Sequence, residues 1–260
     1  MLNKASSNRV AKALTVFTHA AVRPGWTVRA LGRLYNDICV GRATIPTISI
    51  GRLLPPDGRI TLLDVVGEDG NMSTEEVVAL SGLVRATSPH TILEIGTFNG
   101  NTTLQLAANS PETCTVYTLD LPVGSEADPR TEANDEHYVK SDLRRRPRYL
   151  DSPFAGKVRQ VYGNSMEVNF RQVCDERRAD IVFIDGGHSY ECVASDTQRA
   201  FDAVAVGGIV AWHDYTTAWP GVVNFLDEFA QQKPLVRVAG TTLVIHDTTG
   251  RLHATPRDRS

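Results

Sequence analysis

The stretch TILEIGTFNGNTT, residues 91–103, decides the fold. Thr91 to Ile95 fill both faces of a short strand with β-branched and leucine side chains, the mark of a parallel strand buried on both sides, and Gly96 ends it at once. After Gly100 the period changes. Leu104, Ala107 and Ala108 fall on one side of a helix whose start is dressed with Asn99, Asn101, Thr102 and Thr103. A strand, glycine turn and helix in this order bring unpaired helix N–H groups and bare backbone to a crevice at the strand's carboxyl end, where a nucleoside-type ligand can approach closely. The same device also serves simply to pack a helix onto a sheet, so the turn alone assigns no function.

The surrounding sequence adds to it. The spacing is E-x-G-x-x-x-G, not the G-x-G-x-x-G that seats a dinucleotide pyrophosphate. VYTLDLP, residues 116–122, ends a second strand on Asp120, an acid placed to accept hydrogen bonds from both hydroxyls of a ribose. A third strand over 157–162 runs into Gly163-Asn164-Ser165. DIVFI, residues 180–184, ends at Asp185, and residues 208–212 end at His213-Asp214. Helical periods separate these strands, one near 165–176 and one over 190–204, and a further helix carries Val222, Leu226 and Phe229. PLVRVAGTTLVIHD, residues 234–247, then gives two strands about Gly240. Alternation of this kind predicts a doubly wound α/β domain with a mostly parallel seven-stranded sheet and an antiparallel last strand. Its strand tips would gather Glu94, Asp120, Asn164, Asp185, His188, His213 and Asp214 along one edge.

Glu94-Ile95-Gly96 through Gly100, Asp120, FIDGGHSYE at 183–191, WHDY at 212–215 and GVVNFLDEF at 221–229 resemble, in that order, the class I S-adenosylmethionine (SAM)-dependent methyltransferases. The resemblance is narrower to the branch that holds macrolide-sugar O-methyltransferases and relatives of the cephalosporin-modifying enzymes, and it spans residues 65–247. It implies the Rossmann-like methyltransferase sheet, SAM as donor and a hydroxyl on a small natural product, often a sugar, as acceptor. The implied cofactor contacts are Glu94, Gly96, Thr97, Asn99, Gly100, Asp120, Leu121, Asn164, Ser165 and Asp185. Where the family holds a divalent cation, Mg or Mn, the matching positions are Asp185, His213 and Asp214. His188, in Asp-Gly-Gly-His, is the expected general base, with Asp185 and His213 completing the catalytic group.

Two positions depart from the family pattern. Asn164-Ser165 stands for an Asp-Ser pair, and its carbonyl oxygen can still meet an adenine amino group. His213 stands for an acid. An imidazole nitrogen among carboxylates suits Mn, Fe or Zn better than Mg, or else no metal is held and His213 bonds the sheet edge while Asp214 caps a turn. Two other functions compete: a SAM-binding interaction protein without catalysis, and an oxidoreductase on a dinucleotide fold.

Composition sets limits. With 260 residues and 42% hydrophobic content, the chain can bury one sizeable core plus an appendage. No apolar run is long enough to span a bilayer. Cys39, Cys114, Cys174 and Cys192 have no C-x-x-C spacing, which points to a reducing, cytoplasmic setting. Residues 1–60 carry nine Lys/Arg against two Asp/Glu, and the first 36 hold no acid. Val10, Leu14, Phe17 and Ala21, then Val28, Leu31, Tyr35 and Ile38, predict two amphipathic helices in this basic arm. It would dock on a second copy to form a homo-oligomer, cap its own domain, meet an anionic membrane or act as a transit peptide. Pro55, Pro56 and Gly58 place the domain boundary near residue 60, with the methyltransferase domain over 61–250 and a tail over 251–260. Ser73 and Glu76 form a capping box for a helix ending before Pro89. Residues 122–156 read as a lid containing one short helix, in which Arg144, Arg145 and Arg146 either grip an acidic substrate group or form a solvated cluster. A small-molecule acceptor is the expected partner, not nucleic acid.

Overall fold

Thr91–Ile95 form a strand in which every residue is buried. Ile92, Leu93 and Ile95 are no more than 1% exposed, a burial worth about 1.5–3 kcal/mol for each such side chain. In the computed structural model, residues 45–67 and 69–252 are described. The amphipathic helices expected within residues 10–38 and the tail from residue 253 lie outside them.

Among the described residues the strands are β1 (Thr47–Ile48), β2 (Thr91–Ile95), β3 (Thr115–Asp120), β4 (Val158–Tyr162), β5 (Ala179–Ile184), β6 (Val204–Trp212), β7 (Val236–Val238) and β8 (Val244–Asp247). They form one eight-stranded sheet in the order β1-β7-β8-β6-β5-β2-β3-β4. Only β8 runs against the rest, pairing antiparallel with both β6 and β7. The chain leaves β2 toward β3 on one side and leaves β5 toward β6 on the other, so the strand order reverses between β2 and β5. That reversal opens a crevice at the carboxyl ends of the two strands. The expected doubly wound sheet with an antiparallel last strand is present, with one strand more than the seven expected. The addition is β1, in the stretch assigned to the basic arm. Arg237 N donates to Pro46 O at 2.8 Å and Ala239 N to Ile48 O at 2.9 Å, while Ile48 and Leu53 lie in the core. The sheet therefore begins ahead of the Pro55-Pro56-Gly58 break; two residues are too few to show a strand period.

The helices are α1 (Thr74–Thr87), α2 (Asn101–Asn109), α3 (Asp135–Val139), α4 (Phe170–Val173), α5 (Tyr190–Ala203) and α6 (Pro220–Phe229). The capping box that opens α1 is formed: Glu76 N donates to Ser73 Oγ and Ser73 N to Glu76 Oε2. The helix expected over 165–176 shrinks to α4, because Arg199 holds the carbonyls of Met166 and Val168 in an irregular turn. Residues 61–64 run as a strap along α2, held by amide side chains one helical turn apart. Asn109 exchanges two bonds with the backbone of Thr61, both 2.8 Å. Gln105 does the same with Leu63 at 3.1 and 2.5 Å, and Asn101 donates to Asp64 O at 2.9 Å. Two residues of extended chain and four of helix rise by nearly the same ~6 Å, so Asn109 and Gln105 match Thr61 and Leu63. Further along the chain, Asp69, Gly70 and Asn71 line the cavity described next.

Candidate functional site

The turn after β2 positions the first part of the site. Gly96 has φ +92°, and a Cβ on it would lie 2.0 Å from the carbonyl oxygen of Asp185, so only glycine lets the tips of β2 and β5 come this close. The crevice holds a cavity of about 290 Å³ lined by Gly96, Asn99, Asp120, Leu121, Asn164, Ser165, Asp185, His188, His213 and Asp214, among others. Most of the residues expected at the strand tips are thus brought together.

Glu94, Thr97 and Gly100 do not line it. Glu94 is fully buried beneath the turn, where its Oε2 accepts from the hydroxyls of Thr103 at 2.5 Å and Thr118 at 2.6 Å. Burial, reinforced by the charges of Asp185 and Asp120, pushes its carboxyl up to about 8 against the pull of those hydroxyls. Thr97 is tied to Thr118 at 2.6 Å and to Gln160 at 3.0 Å. A strand residue before the turn alternates away from the crevice, and the sequence offers no sign of this when both faces are buried.

At one end of the cavity, Asp120 receives four donors: Phe98 N at 3.0 Å, Leu121 N at 2.8 Å, and Arg144 Nη2 and Nε at 3.0 and 3.4 Å. A carboxylate has about four acceptor positions, so a ribose would reach Asp120 by displacing part of the Arg144 contact. Arg144 is itself only 4% exposed and also donates to the carbonyls of Val139 and Leu121. Arg145 and Arg146 pair with Asp142 and Asp151 at the surface. The arginine run is therefore one inward latch and two solvated pairs. The carbonyl oxygen of Asn164 accepts from Met166 N at 3.0 Å and its amide donates to Asp128 at 2.6 Å, which leaves one lone pair for a ligand. Asn99 Nδ2 is buried without a hydrogen-bond partner and Asn99 lines the cavity, a donor ready for a ligand acceptor.

At the other end lies a chain of acids and imidazoles. His188 Nδ1 contacts Asp135 Oδ1, its Nε2 is 2.9 Å from Asp214 Oδ2, and its ring stacks on Trp219 at 3.8 Å and 12°. Burial disfavours the imidazolium, yet Asp135 and Asp214 outweigh it and raise His188 to about 9. Asp135 also accepts from His188 N at 3.1 Å. His213 Nδ1 lies 3.0 Å from Asp185 Oδ1 and 3.1 Å from Asp214 Oδ2, with Glu76 Oε2 3.3 Å from its Nε2. Burial opposes its charge too, but Asp214 and Asp185 hold its pKa well above the ordinary value. Burial likewise works against ionised Asp214, and His213 and His188 hold its carboxyl far below the usual range. Asp214 adopts the left-handed φ of +59°, a conformation that concentrates at functional sites. Asp185, His213 and Asp214 can each present a ligand atom within 4.8 Å of the others.

Sequence reasoning missed Glu76, Asp135, Tyr138 and Trp219. Glu76 showed only its capping-box spacing, and Asp135 sat in a charged stretch without period. The segment 122–156 does contribute to the cavity through Asp128, Thr131, Asp135, Tyr138, Val139 and Arg144, and contains the one expected α-helix, α3. No described helix is long and apolar enough to cross a membrane.

No curated protein matches the chain in sequence. Solved structures that share its fold include the following two. One is the O-methyltransferase TomG from Streptomyces achromogenes, involved in tomaymycin synthesis and solved with SAM; identity is 16%, 69% of this chain and 82% of TomG are covered, and the TM-score is 0.50. The other is cofactor-bound Rv0187 from MTB, at 15% identity, 90% and 95% coverage and a TM-score of 0.50. Residues 93–215, from the middle of β2 to just past β6, match the model of a family described as a methyltransferase domain. The part of the chain between Leu93 and Tyr215 is thus similar to a methyltransferase domain, and it lies on the doubly wound sheet that places its acids and histidines at one crevice.

Proposed function

We propose that this chain transfers a methyl group from SAM to a hydroxyl of a small natural product, a sugar or a similarly hydroxylated acceptor, with a divalent cation assisting. One observation carries the proposal: a nucleoside-type crevice, with Gly96, Asn99 and Asp120, opens into the same cavity as the Asp185, His188, His213 and Asp214 cluster. TomG, an O-methyltransferase solved with SAM, supports the choice of donor.

The residues present fit both groups. Gly96 supplies a cradle that a Cβ would fill, and Asn99 an orphaned donor suited to the carboxylate of the donor's amino-acid end. His213 offers a nitrogen and Asp185 and Asp214 oxygens to a cation. SAM supplies a sulfonium-bound methyl that is already strongly electrophilic, so the chain has to align the acceptor and remove its proton. Asp185, His213 and Asp214 would hold the cation, whose charge would lower the acceptor hydroxyl's pKa.

His188 is the proton acceptor in this scheme. Asp135 on Nδ1 and Trp219 on the ring face fix its orientation, and Nε2 is directed at the acid cluster. A histidine accepts a proton only when neutral. While Asp135 and Asp214 both hold the ring it is charged near pH 7, so proton removal belongs to a state in which Asp214 is engaged elsewhere. Thr131, Tyr138 and Val139 line the cavity on the side of the 122–156 segment.

Calorimetric titration tests the donor assignment. SAM should bind in the micromolar range with one site per chain and NAD should not; binding of NAD but not SAM would overturn it.

A further inference from the structure

His213 has a side chain only 10% exposed and makes close contacts on two sides. Three carboxylate oxygens lie within 3.3 Å of its ring nitrogens, yet neither buried nitrogen has a well-aligned hydrogen bond. Buried polar groups without an aligned partner call for an explanation, and an ion held at the site is one. The two sides differ. Nδ1 faces Asp185 Oδ1 and Asp214 Oδ2 at 3.0 and 3.1 Å, both at the cavity wall. Nε2 faces Glu76 Oε2 at 3.3 Å, away from that pair.

The Glu76 carboxylate is not free to join the cavity ligands. Its Oε2 accepts from Ser73 N at 2.7 Å, and its Oε1 accepts from the amide and hydroxyl of Thr242, both at 2.8 Å. It is pinned between the start of α1 and the turn before β8. The negative charge of Glu76 beside Nε2 favours a proton on that nitrogen, and a cation at Nδ1, between the two aspartates, would take the place of the second ring proton. That is how a neighbouring carboxylate sets the tautomer and orientation of a metal-ligating histidine.

We propose that Glu76 is a positioning residue that presents His213 Nδ1, with Asp185 and Asp214, to a divalent cation, and that this mixed nitrogen and oxygen donor set takes Mn²⁺ or Zn²⁺ in preference to Mg²⁺. Mg²⁺ favours oxygen ligands and keeps its waters, whereas imidazole suits the borderline ions. The inference rests on the cavity being a cation-assisted site, but its test needs neither donor nor acceptor, so a failure of methyl transfer leaves it standing.

The test is titration of the metal-stripped full chain with MnCl₂, ZnCl₂ and MgCl₂ by calorimetry, with electron spin echo spectra of the Mn²⁺ form. Wild type should bind Mn²⁺ at least tenfold more tightly than Mg²⁺ and show coupling to a ¹⁴N nucleus. His213→Asp should lose the coupling and the preference. Glu76→Gln should weaken Mn²⁺ by about 10–100-fold. Ser73→Ala removes the other half of the capping box but leaves the carboxylate in place, and should keep the wild-type affinity. Equal affinity for Mn²⁺ and Mg²⁺, binding of neither, or equal weakening by Glu76→Gln and Ser73→Ala would overturn the proposal.

Discussion

Glu94 gives a prediction in which burial is the largest cause. Its carboxyl rises from an ordinary value of 4.5 to about 8 in the folded chain, chiefly through complete burial. The folded state therefore binds this proton more tightly than the unfolded state. Its contribution to stability is fully present below pH 4.5 and is lost as pH rises through 8. Between those values each pH unit costs about 1.4 kcal/mol, so raising pH from 6 to 9 should remove about 2–3 kcal/mol through this residue. Glu94→Gln keeps the shape of the protonated acid and an oxygen to accept from Thr103 and Thr118, but cannot ionise. Urea unfolding at pH 6 and pH 9 separates Glu94 from other titrating groups, because only the difference between wild type and variant counts. Wild type should lose 2–3 kcal/mol more than the variant over this range. Parallel pH profiles would refute the assignment of a protonated Glu94 beneath the glycine turn.

Other expectations follow from the same contacts. Asp120→Ala strands Arg144, 4% exposed, without its anion, and should cost about 3–5 kcal/mol in urea unfolding as well as weakening SAM; the double variant with Arg144→Met should recover most of the stability but not the affinity. Asp135→Asn should lower turnover about 10–100-fold with the SAM dissociation constant unchanged, and should cost nothing further in a His188→Ala background; additive losses would show that Asp135 acts elsewhere. Gln105→Leu leaves the amide and carbonyl of Leu63 without partners, so unfolding should be easier by about 1–3 kcal/mol, and an unchanged midpoint would remove the strap from the account.

The sheet was legible because its strands are long enough to show an apolar run and each ends on a polar tip. Asp120, Asp185, His213 and Asp214 could be placed at one edge from topology alone, since parallel strands with right-handed crossovers leave no other arrangement. What was not legible depended on where a side chain points. Glu94 and Asp120 both stand at the tips of buried parallel strands, yet one faces a hydroxyl pair under the turn and the other the cavity. Glu76 carries a helix-capping signal that is correct and incomplete, because its second role needs His213 and Thr242 from distant parts of the chain. Asp135 and Arg144 sit in a stretch with no period, where only the folded coil reveals which charges turn inward. The strap over α2 was hidden for a related reason: Asn101, Gln105 and Asn109 look like the polar face of a helix until a backbone lies along them.

The most direct test of the account is methyl transfer itself. Full-length protein supplied with Mn²⁺, SAM carrying an isotopic label on its methyl group and a panel of hydroxylated small molecules, sugars included, should form S-adenosylhomocysteine together with an O-methylated product. His188→Ala should slow this by about 10²–10⁴-fold while calorimetry gives an unaltered SAM affinity. Absence of SAM binding, or transfer that proceeds at the wild-type rate in His188→Ala, would contradict it.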